Sequence, residues 1–327
     1  MKKGVSKTVL VIAVVAIIAI ATGTYILASS QPPAQQKFVI KIYTGGVGGV
    51  YYPLGTKLAQ LLNSYSDGLI EASVATSNAS VANVQALAAG DAQLIFVQNN
   101  IATFAYNGER MFGTPVSTIR GVASLYNETF QLVVKADSEI HSITDLTGKR
   151  VAIGAQGSGT AVDAEQILRA ANVWNNITIL YADFNDATEQ LKLGQVDAAV
   201  IEAGVKTSAV ETLASTTPIN LVEIPDNVFQ TLTSQGYTYY IQQTVNASTY
   251  NGMTHNVKTI AVRAMLAVSE DMPKNIAYTI TKILFEHQAE LEQAHPIASS
   301  ITLATTKVGM SIPLHEGATQ YYDEKGV

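Results

Sequence analysis

The chain has 327 residues, 47% of them hydrophobic and 14% charged, so it can bury one large core or two lobes of ordinary domain size. It contains no cysteine, which excludes a disulfide framework, thiolate catalysis and a lipidated N-terminal cysteine. The first 30 residues hold Lys2, Lys3 and Lys7 and no acid, so the rest of the chain carries 17 of the 20 basic residues and all 26 acidic ones. This acidic balance argues against binding to nucleic acid.

An apolar stretch, residues 8–28, follows the basic N-terminus. About 20 apolar residues can cross a bilayer, and the positive charge before them predicts that the rest of the chain lies outside the cytoplasm. A cleaved signal peptide has a shorter apolar region of about 7–15 residues, although Ala28-Ser29-Ser30 suits a signal peptidase. Over residues 1–30 we therefore predict a membrane anchor, with a cleaved signal segment as the alternative. Residues 31–37 are predicted to form a short tether.

Strand-like and helix-like stretches alternate from Phe38 onward. Apolar and β-branched runs predict strands near residues 38–44, 70–76, 94–97, 120–135, 151–154, 177–181, 198–201, 220–224 and 257–268. Periodic apolar positions predict helices between them, including one long helix over residues 273–294 that Pro273 opens. This alternation is typical of an α/β fold with parallel sheets and helices on both faces.

Two long β-rich stretches, residues 120–135 and 257–268, bracket the second group of strands and helices. We expect the chain to leave lobe one through the first stretch, build lobe two and return through the second. The predicted limits are residues 38–124 plus 267–327 for lobe one and residues 125–266 for lobe two. Two strands that cross between lobes form a hinge and leave a cleft, and ligands of such sheets bind outside the carboxyl ends of the strands.

Three loops rich in glycine or hydroxyl groups each join a predicted strand to a predicted helix. They are residues 45–55 (GGVGGVYYPLG), residues 76–80 (TSNAS) and residues 154–160 (GAQGSGT). Unpaired N–H groups at a helix N-terminus point outward and bind anionic groups. Each loop alone has a structural explanation, as a tight turn, an N-cap or a capping box from Thr160 to Asp163. The three together predict a ligand held between the lobes.

Other polar residues follow predicted strands. Gln98 either offers its amide to the ligand or begins a helix, and Asn185 and Glu202 end strands of lobe two. A carboxylate in the cleft would attract an amine or a metal ion, whereas the alternative is a solvated loop acid. The histidines show no spacing typical of metal ligands, and no catalytic triad or carboxylate pair stands out. We therefore predict a binding protein rather than an enzyme, with no cofactor and no metal ion.

Eight segments carry a resemblance to a known family. They are residues 45–55, 75–83, 96–98, 123–126, 145–151, 154–160, 259–264 and 312–318. In this order they resemble the TAXI family, the TRAP-associated extracytoplasmic immunogenic proteins. The resemblance implies a type II-like, two-lobed periplasmic-binding-protein fold with two hinge-crossing strands. It also implies a small-molecule carboxylate ligand (a glutamate-like amino acid, an oxo acid or a dicarboxylate) and delivery to a TRAP-type integral membrane permease.

The predicted ligand-binding residues combine the three loops, the strand ends and this resemblance. They are Gly48, Gly49, Tyr51, Tyr52, Ser77, Asn78, Gln98, Gly157, Ser158, Gly159, Thr160, Asn185 and Glu202. Relatives carry mostly small or apolar residues near Glu202, so this glutamate favours a ligand that bears an amine.

Three other functions stay open at this point. The same fold serves receptors of ATP-driven (ABC) importers, for example for a thiamine-precursor pyrimidine or an amine. A surface-anchored enzyme would use Glu202 or His255 as its acid/base group, and a ligand-sensing ectodomain would need an output domain. The genes beside this one would distinguish the two kinds of importer.

Overall fold

The computed structural model of the protein describes residues 37–327. The predicted N-terminal segment, residues 1–30, and all of the predicted tether except Lys37 lie outside the described residues. From residue 37 to the last residue, no helix is both long enough and apolar enough to cross a bilayer.

The described residues form an α/β fold, as predicted. Its strands are β1 (Phe38–Tyr43), β2 (Ile70–Ala75), β3 (Leu94–Gln98), β4 (Ile119–Lys135), β5 (Arg150–Ala152), β6 (Thr178–Leu180), β7 (Ala198–Ala203), β8 (Ile219–Val222), β9 (Ile241–Val245) and β10 (Val257–Ser269). Its α-helices are α1 (Tyr51–Tyr65), α2 (Ser80–Ala89), α3 (Asn99–Asn107), α4 (Gly159–Ala170), α5 (Phe184–Lys192), α6 (Ser208–Thr216), α7 (Asp226–Ser234), α8 (Lys274–Glu286), α9 (Gln288–Glu292) and α10 (Glu316–Lys325).

These strands form one sheet in the order β2-β1-β3-β10-β4-β7-β5-β6, with β8 also paired to β4 and β9 to β10. The outer strands pair in parallel, β1 with β2 and β3, and β5 with β6 and β7. The central strands β4 and β10 are antiparallel to each other and to their other partners. The prediction of parallel sheets is wrong for these two central strands. The chain leaves lobe one along β4 and returns along β10, so the two strands run in opposite directions.

The two long strands join two lobes, as predicted. The second half of β10 pairs with β3, and its first half pairs with β9, which lies between α7 and β10 in the chain. The second half of β4 pairs with β7 and β8. We keep the predicted limits of lobe one and lobe two as a proposal and use these two names below.

Apolar side chains cover both faces of the sheet in each lobe. Along β10, Leu266 and Val268 face one buried cluster with Leu58 of α1, whereas Met265 and Ala267 face another. Successive side chains of a strand point to opposite faces, so this part of β10 is buried on both sides. Two further clusters flank the sheet of lobe two. Continuous burial explains why the sequence of β10 is apolar throughout rather than alternating.

The long helix predicted over residues 273–294 is interrupted. His287 ends α8 and precedes α9, with φ −115° and ψ 25°. Its ring stacks on Tyr65 of α1 at 3.7 Å between ring centroids, and its Nδ1 atom lies 3.0 Å from Glu290 Oε1. The stacking on Tyr65 is a tertiary contact, and the apolar periodicity of the sequence does not reveal it.

Candidate ligand-binding site

The three predicted loops adjoin one cavity between the lobes. The first loop leads from β1 to α1 and the second from β2 to α2, both in lobe one. The third leads from β5 to α4 in lobe two. The cavity has a volume of about 60 Å³, counted as the space open to the centre of a water molecule. It has room for a few water molecules or for a small solute.

Nine of the predicted ligand-binding residues line this cavity. They are Gly49, Tyr51, Ser77, Asn78, Gln98, Ser158, Gly159, Thr160 and Glu202. They come from both lobes, so a solute in the cavity would touch both.

The structure does not place the other four predicted residues at the cavity wall. Gly48 and Asn185 contact each other beside it, since a Cβ atom on Gly48 would overlap the Asn185 side chain. The Gly157 carbonyl accepts a hydrogen bond from Ala82 N at 3.2 Å, and Gly157 takes a positive φ of 83°. Tyr52 lines a separate surface depression with Lys57. The glycine-rich loops are therefore longer than the part that lines the cavity.

Ser77 supports the first loop through hydrogen bonds. Its hydroxyl donates to the Thr44 carbonyl at 2.9 Å, lies 2.5 Å from Asn83 Oδ1 and accepts from Ala79 N at 2.9 Å. The fully buried Asn83 in turn donates to the carbonyls of Thr44 and Phe96, at 2.6 and 2.8 Å. Ser77 and Asn83 therefore connect the end of β1 to the middle of β3.

The N-terminus of α4 is capped by Ser158, whose Oγ accepts a hydrogen bond from Ala161 N at 3.0 Å. The predicted capping box from Thr160 to Asp163 is wrong, because the N-cap is Ser158, two residues before Thr160, and Asp163 faces the interior. Asp163 is fully buried, and its Oδ1 accepts hydrogen bonds from Asn100 at 2.6 Å and Tyr240 at 2.8 Å.

One part of the cavity wall is acidic. Glu128 of β4 and Glu202 of β7 are both buried, and Gln98 Nε2 donates to Glu202 Oε2 at 2.9 Å. Asp183 adds a third acid, which caps α5 by accepting a hydrogen bond from Asp186 N at 2.9 Å. No lysine, arginine or histidine of the described residues lines this cavity.

Burial controls the charge of these acids. It raises the pKa of Glu128 to about 8, although the nearby Tyr51 hydroxyl and Gln98 amide pull the value down in part. Burial also raises the pKa of Glu202, and the negative charge of the neighbouring Asp163 raises it further. At neutral pH, Glu128 is therefore protonated when the cavity holds no positive charge, and burial favours the neutral form of Glu202 as well.

Several contacts between the lobes close them on each other around the cavity. Besides the pairs Gln98–Glu202 and Asn100–Asp163, Ala209 N donates to the Gly48 carbonyl at 3.1 Å. Gly159 lies so close to Gln98 that a Cβ atom on Gly159 would overlap Gln98 Oε1. The structure thus shows a closed arrangement in which α4 of lobe two meets the end of β3 of lobe one.

Sequence reasoning missed several residues of the cavity wall, among them Tyr126, Glu128 and Phe184. Glu128 did give a signal, because it is an acid within a long strand whose other residues are mostly apolar. Tyr126 and Phe184 gave none, since an aromatic residue near a strand or helix end is ordinary in a core. Their place depends on how the lobes meet, which the sequence of one lobe does not determine.

A sequence model described as the NMT1-like family matches residues 42–326. The chain belongs to the NMT1-like family. As a solute-binding protein of this family, it binds rather than catalyses and lies outside the cytoplasm, as the sequence predicted.

Solved structures with the same fold are distant in sequence. PhnD1 of Prochlorococcus marinus, in complex with methylphosphonate, has 13% identity and a TM-score of 0.55, with 88% of this chain and 96% of that chain covered. A Listeria monocytogenes protein described as an L-cystine ABC transporter has 16% identity and a TM-score of 0.51, with 80% and 95% covered. A Bordetella bronchiseptica protein has 16% identity and a TM-score of 0.53, with 88% and 82% covered. They establish the two-lobed periplasmic-binding-protein fold.

These findings correct the predicted TAXI family and the TRAP-type permease partner that it implied. The matching family is the NMT1-like family, and a protein of the same fold carries the description of an ABC transporter. The segments that carried the resemblance include the loops that build the cavity. Such loops belong to the fold, which several transporter classes use.

Proposed function

We propose that this NMT1-like protein is the substrate-binding protein of an ABC importer. It captures a small solute between its lobes and presents the closed form to a membrane permease. The observation that carries the proposal is the cavity, whose wall contains Tyr51 and Gln98 from lobe one and Ser158 and Glu202 from lobe two. A solute that touches both lobes binds the closed form better than the open form and so drives closure.

The size of the cavity supports a small solute. A volume of about 60 Å³ is far below the several hundred Å³ of sites for drug-sized ligands. The helices α1, α2 and α4 all begin at this cavity, so their first N–H groups favour a negatively charged or polar group there.

The experiment that tests this function is reconstitution with an ABC permease encoded in the same genome. We expect the solute-loaded protein to stimulate ATP hydrolysis and ATP-dependent uptake into liposomes, whereas the solute-free protein does so far less. Uptake that an ion gradient drives without ATP would contradict the ABC assignment.

We further propose that residues 1–30 export the chain and keep it at the outer face of the membrane. The support for this proposal is the sequence pattern alone, in which a basic N-terminus is followed by the apolar residues 8–28. After alkaline carbonate extraction the full-length protein should stay in the membrane pellet. A soluble form shortened by about 30 residues, as a cleaved signal peptide leaves it, would contradict the anchor.

A further inference from the structure

Among residues 37–327, no lysine, arginine or histidine lines the cavity beside its acidic wall. Glu128 and Glu202 lie next to each other in the sheet, because Glu202 pairs with Phe130, two residues along β4 from Glu128. The nearby Arg263 of β10 donates instead to Ser124 and Asn127, at 3.1 and 2.8 Å. It is not among the residues that line the cavity. Two buried acids without a cation are costly unless they are neutral or meet a positive ligand.

Two other polar atoms at this wall have no hydrogen-bond partner within residues 37–327. They are Gln98 Oε1 and the hydroxyl oxygen of Tyr126. Both residues are almost fully buried, with exposed fractions of 1% and 0%. Buried polar groups in folded proteins usually find a partner, so unpartnered atoms around a cavity point to a ligand.

The Glu202 carboxyl is less available to a ligand than the Glu128 carboxyl. One of its oxygens accepts from Gln98, and its charge interacts with the neighbouring Asp163. Glu202 Oε1 and Asp163 Oδ2 both lack a partner among the described residues, so one proton can be shared between these two carboxyls. Glu128 is therefore the carboxyl that is available to a ligand.

We propose that the Glu128 carboxylate, together with Gln98 Oε1 and the Tyr126 hydroxyl, binds the protonated amine of a small solute. An ammonium group has three N–H donors and no acceptor, which matches these three oxygen atoms. No group of three or more metal-binding side chains occurs in the described part of the chain, so an amine suits this wall better than a metal ion. This inference rests on the proposed function and names the chemical class of the solute.

Two kinds of solute share this chemistry, a simple amine and an amino acid. The carboxylate of an amino acid would meet the first N–H groups of α1 and α4, which also begin at the cavity. The probes are therefore matched sets: the standard amino acids, the 2-hydroxy acids that replace the amine of each, and the amines that lack the carboxylate of each. Methylphosphonate and the corresponding oxo acids complete the panel as anions without an amine.

Thermal shift of the full-length protein, followed by calorimetry of each hit, tests the proposal. We expect the tightest probe to carry an amine and its 2-hydroxy counterpart to bind at least tenfold more weakly. At pH 7 the amine should displace a proton from Glu128, so the binding enthalpy should differ between phosphate and Tris buffers. Affinity for the amine should increase as the pH rises toward 8.

Two variants locate the subsite. Glu128→Gln keeps the shape of the side chain and should weaken amine binding at least tenfold, and it should remove the buffer dependence. Tyr126→Phe removes one hydroxyl and should weaken binding severalfold without unfolding the protein. Glu189→Gln, which removes an exposed carboxylate from α5 on the surface of lobe two, is the matched control and should bind as the wild type does.

The outcomes separate this inference from the proposed function. If the tightest probe is an anion without an amine, or if Glu128→Gln binds as tightly as the wild type, the amine subsite is wrong and solute binding stands. If no probe of any class binds, both the subsite and the proposed capture of a small solute fail.

Discussion

Gly159 lies where α4 of lobe two meets Gln98 of lobe one. A Cβ atom at this position would overlap Gln98 Oε1 and lie 2.5 Å from its Cδ. Gln98 is the end of a flexible side chain, but it is buried and donates to Glu202 at 2.9 Å. Moving it aside breaks a hydrogen bond to a buried acid, so glycine is required here for close approach rather than for an unusual backbone angle.

The substitution Gly159→Ala should therefore impair closure without harming the fold. Alanine is a better helix former than glycine by about 1 kcal/mol, so the free energy of unfolding should be unchanged or slightly higher. Solute affinity should fall more than tenfold, about 1.4 kcal/mol. Calorimetry measures the affinity, and urea unfolding is the control. Equal affinity in variant and wild type would show that the lobes do not meet here when solute binds.

Glu128 links folding to pH. Its pKa rises from an ordinary value of 4.5 to about 8 on folding, so between these values the folded state holds a proton that the unfolded state has released. The contribution of this bound proton to the free energy of unfolding is fully present below the pKa of Glu128 in the unfolded chain. It is lost as the pH rises through the pKa of Glu128 in the folded protein. The buried Glu202 shifts in the same direction.

We expect the free energy of unfolding of the solute-free protein to fall as pH increases from about 5 to 8. One such carboxyl contributes a slope of up to about 1.4 kcal/mol per pH unit. Urea unfolding at several pH values measures this slope, and Glu128→Gln should make it shallower. If the wild type and this variant have the same slope, Glu128 does not hold the extra proton.

At the scale of elements, the strand ends of lobe one are held by side chains rather than by the sheet alone. Asn83 of α2 donates hydrogen bonds to the carbonyls of Thr44 and Phe96. Thr44 directly follows β1, and Phe96 lies within β3. Without Asn83, the buried Phe96 carbonyl loses this donor, whereas the Thr44 carbonyl keeps the Ser77 hydroxyl as its donor. A buried carbonyl costs about 1–3 kcal/mol when it is left without a partner.

Asn83→Ala should lower the free energy of unfolding by roughly 1–3 kcal/mol, which chemical denaturation measures. Asn63→Ala is the matched control, because Asn63 of α1 also bonds the backbone, at Ala72, but on a partly exposed surface. There water can replace the lost bonds, so the loss should be about 1 kcal/mol or less. Equal losses for the two variants would contradict the role given to Asn83.

The elements also show how far the sequence alone reaches. The long strands β4 and β10 and the loops before α1, α2 and α4 could be predicted, because apolar runs, glycines and helix-starting residues are local signals. The break at His287 and the short strand β9 could not, since both depend on tertiary contacts. For the site, nine predicted residues reach the cavity, whereas Glu128 and Tyr126 are placed there by the crossing of β4 between the lobes.

At the level of the whole molecule, the proposed solute capture requires movement between the two lobes that β4 and β10 connect. The closed form has several contacts between the lobes. One is the hydrogen bond from Ala209 to Gly48, and another is the bond from Arg110 Nη2 to the Tyr237 hydroxyl at 2.8 Å. None of these contacts alone sets the equilibrium. A solute adds contacts with both lobes, and its differential affinity sets the extent of closure.

Closure of the lobes by a small solute is directly measurable, because the chain contains no cysteine that would compete for dye labelling. Gln60→Cys on α1 and Glu211→Cys on α6 place single dyes on exposed positions of lobe one and lobe two. We predict that adding the tightest probe of the panel raises energy transfer between the dyes, with a midpoint equal to the calorimetric dissociation constant. The same pair in the Gly159→Ala background should show a much smaller change. A bound solute that leaves the energy transfer unchanged would contradict closure as the mechanism.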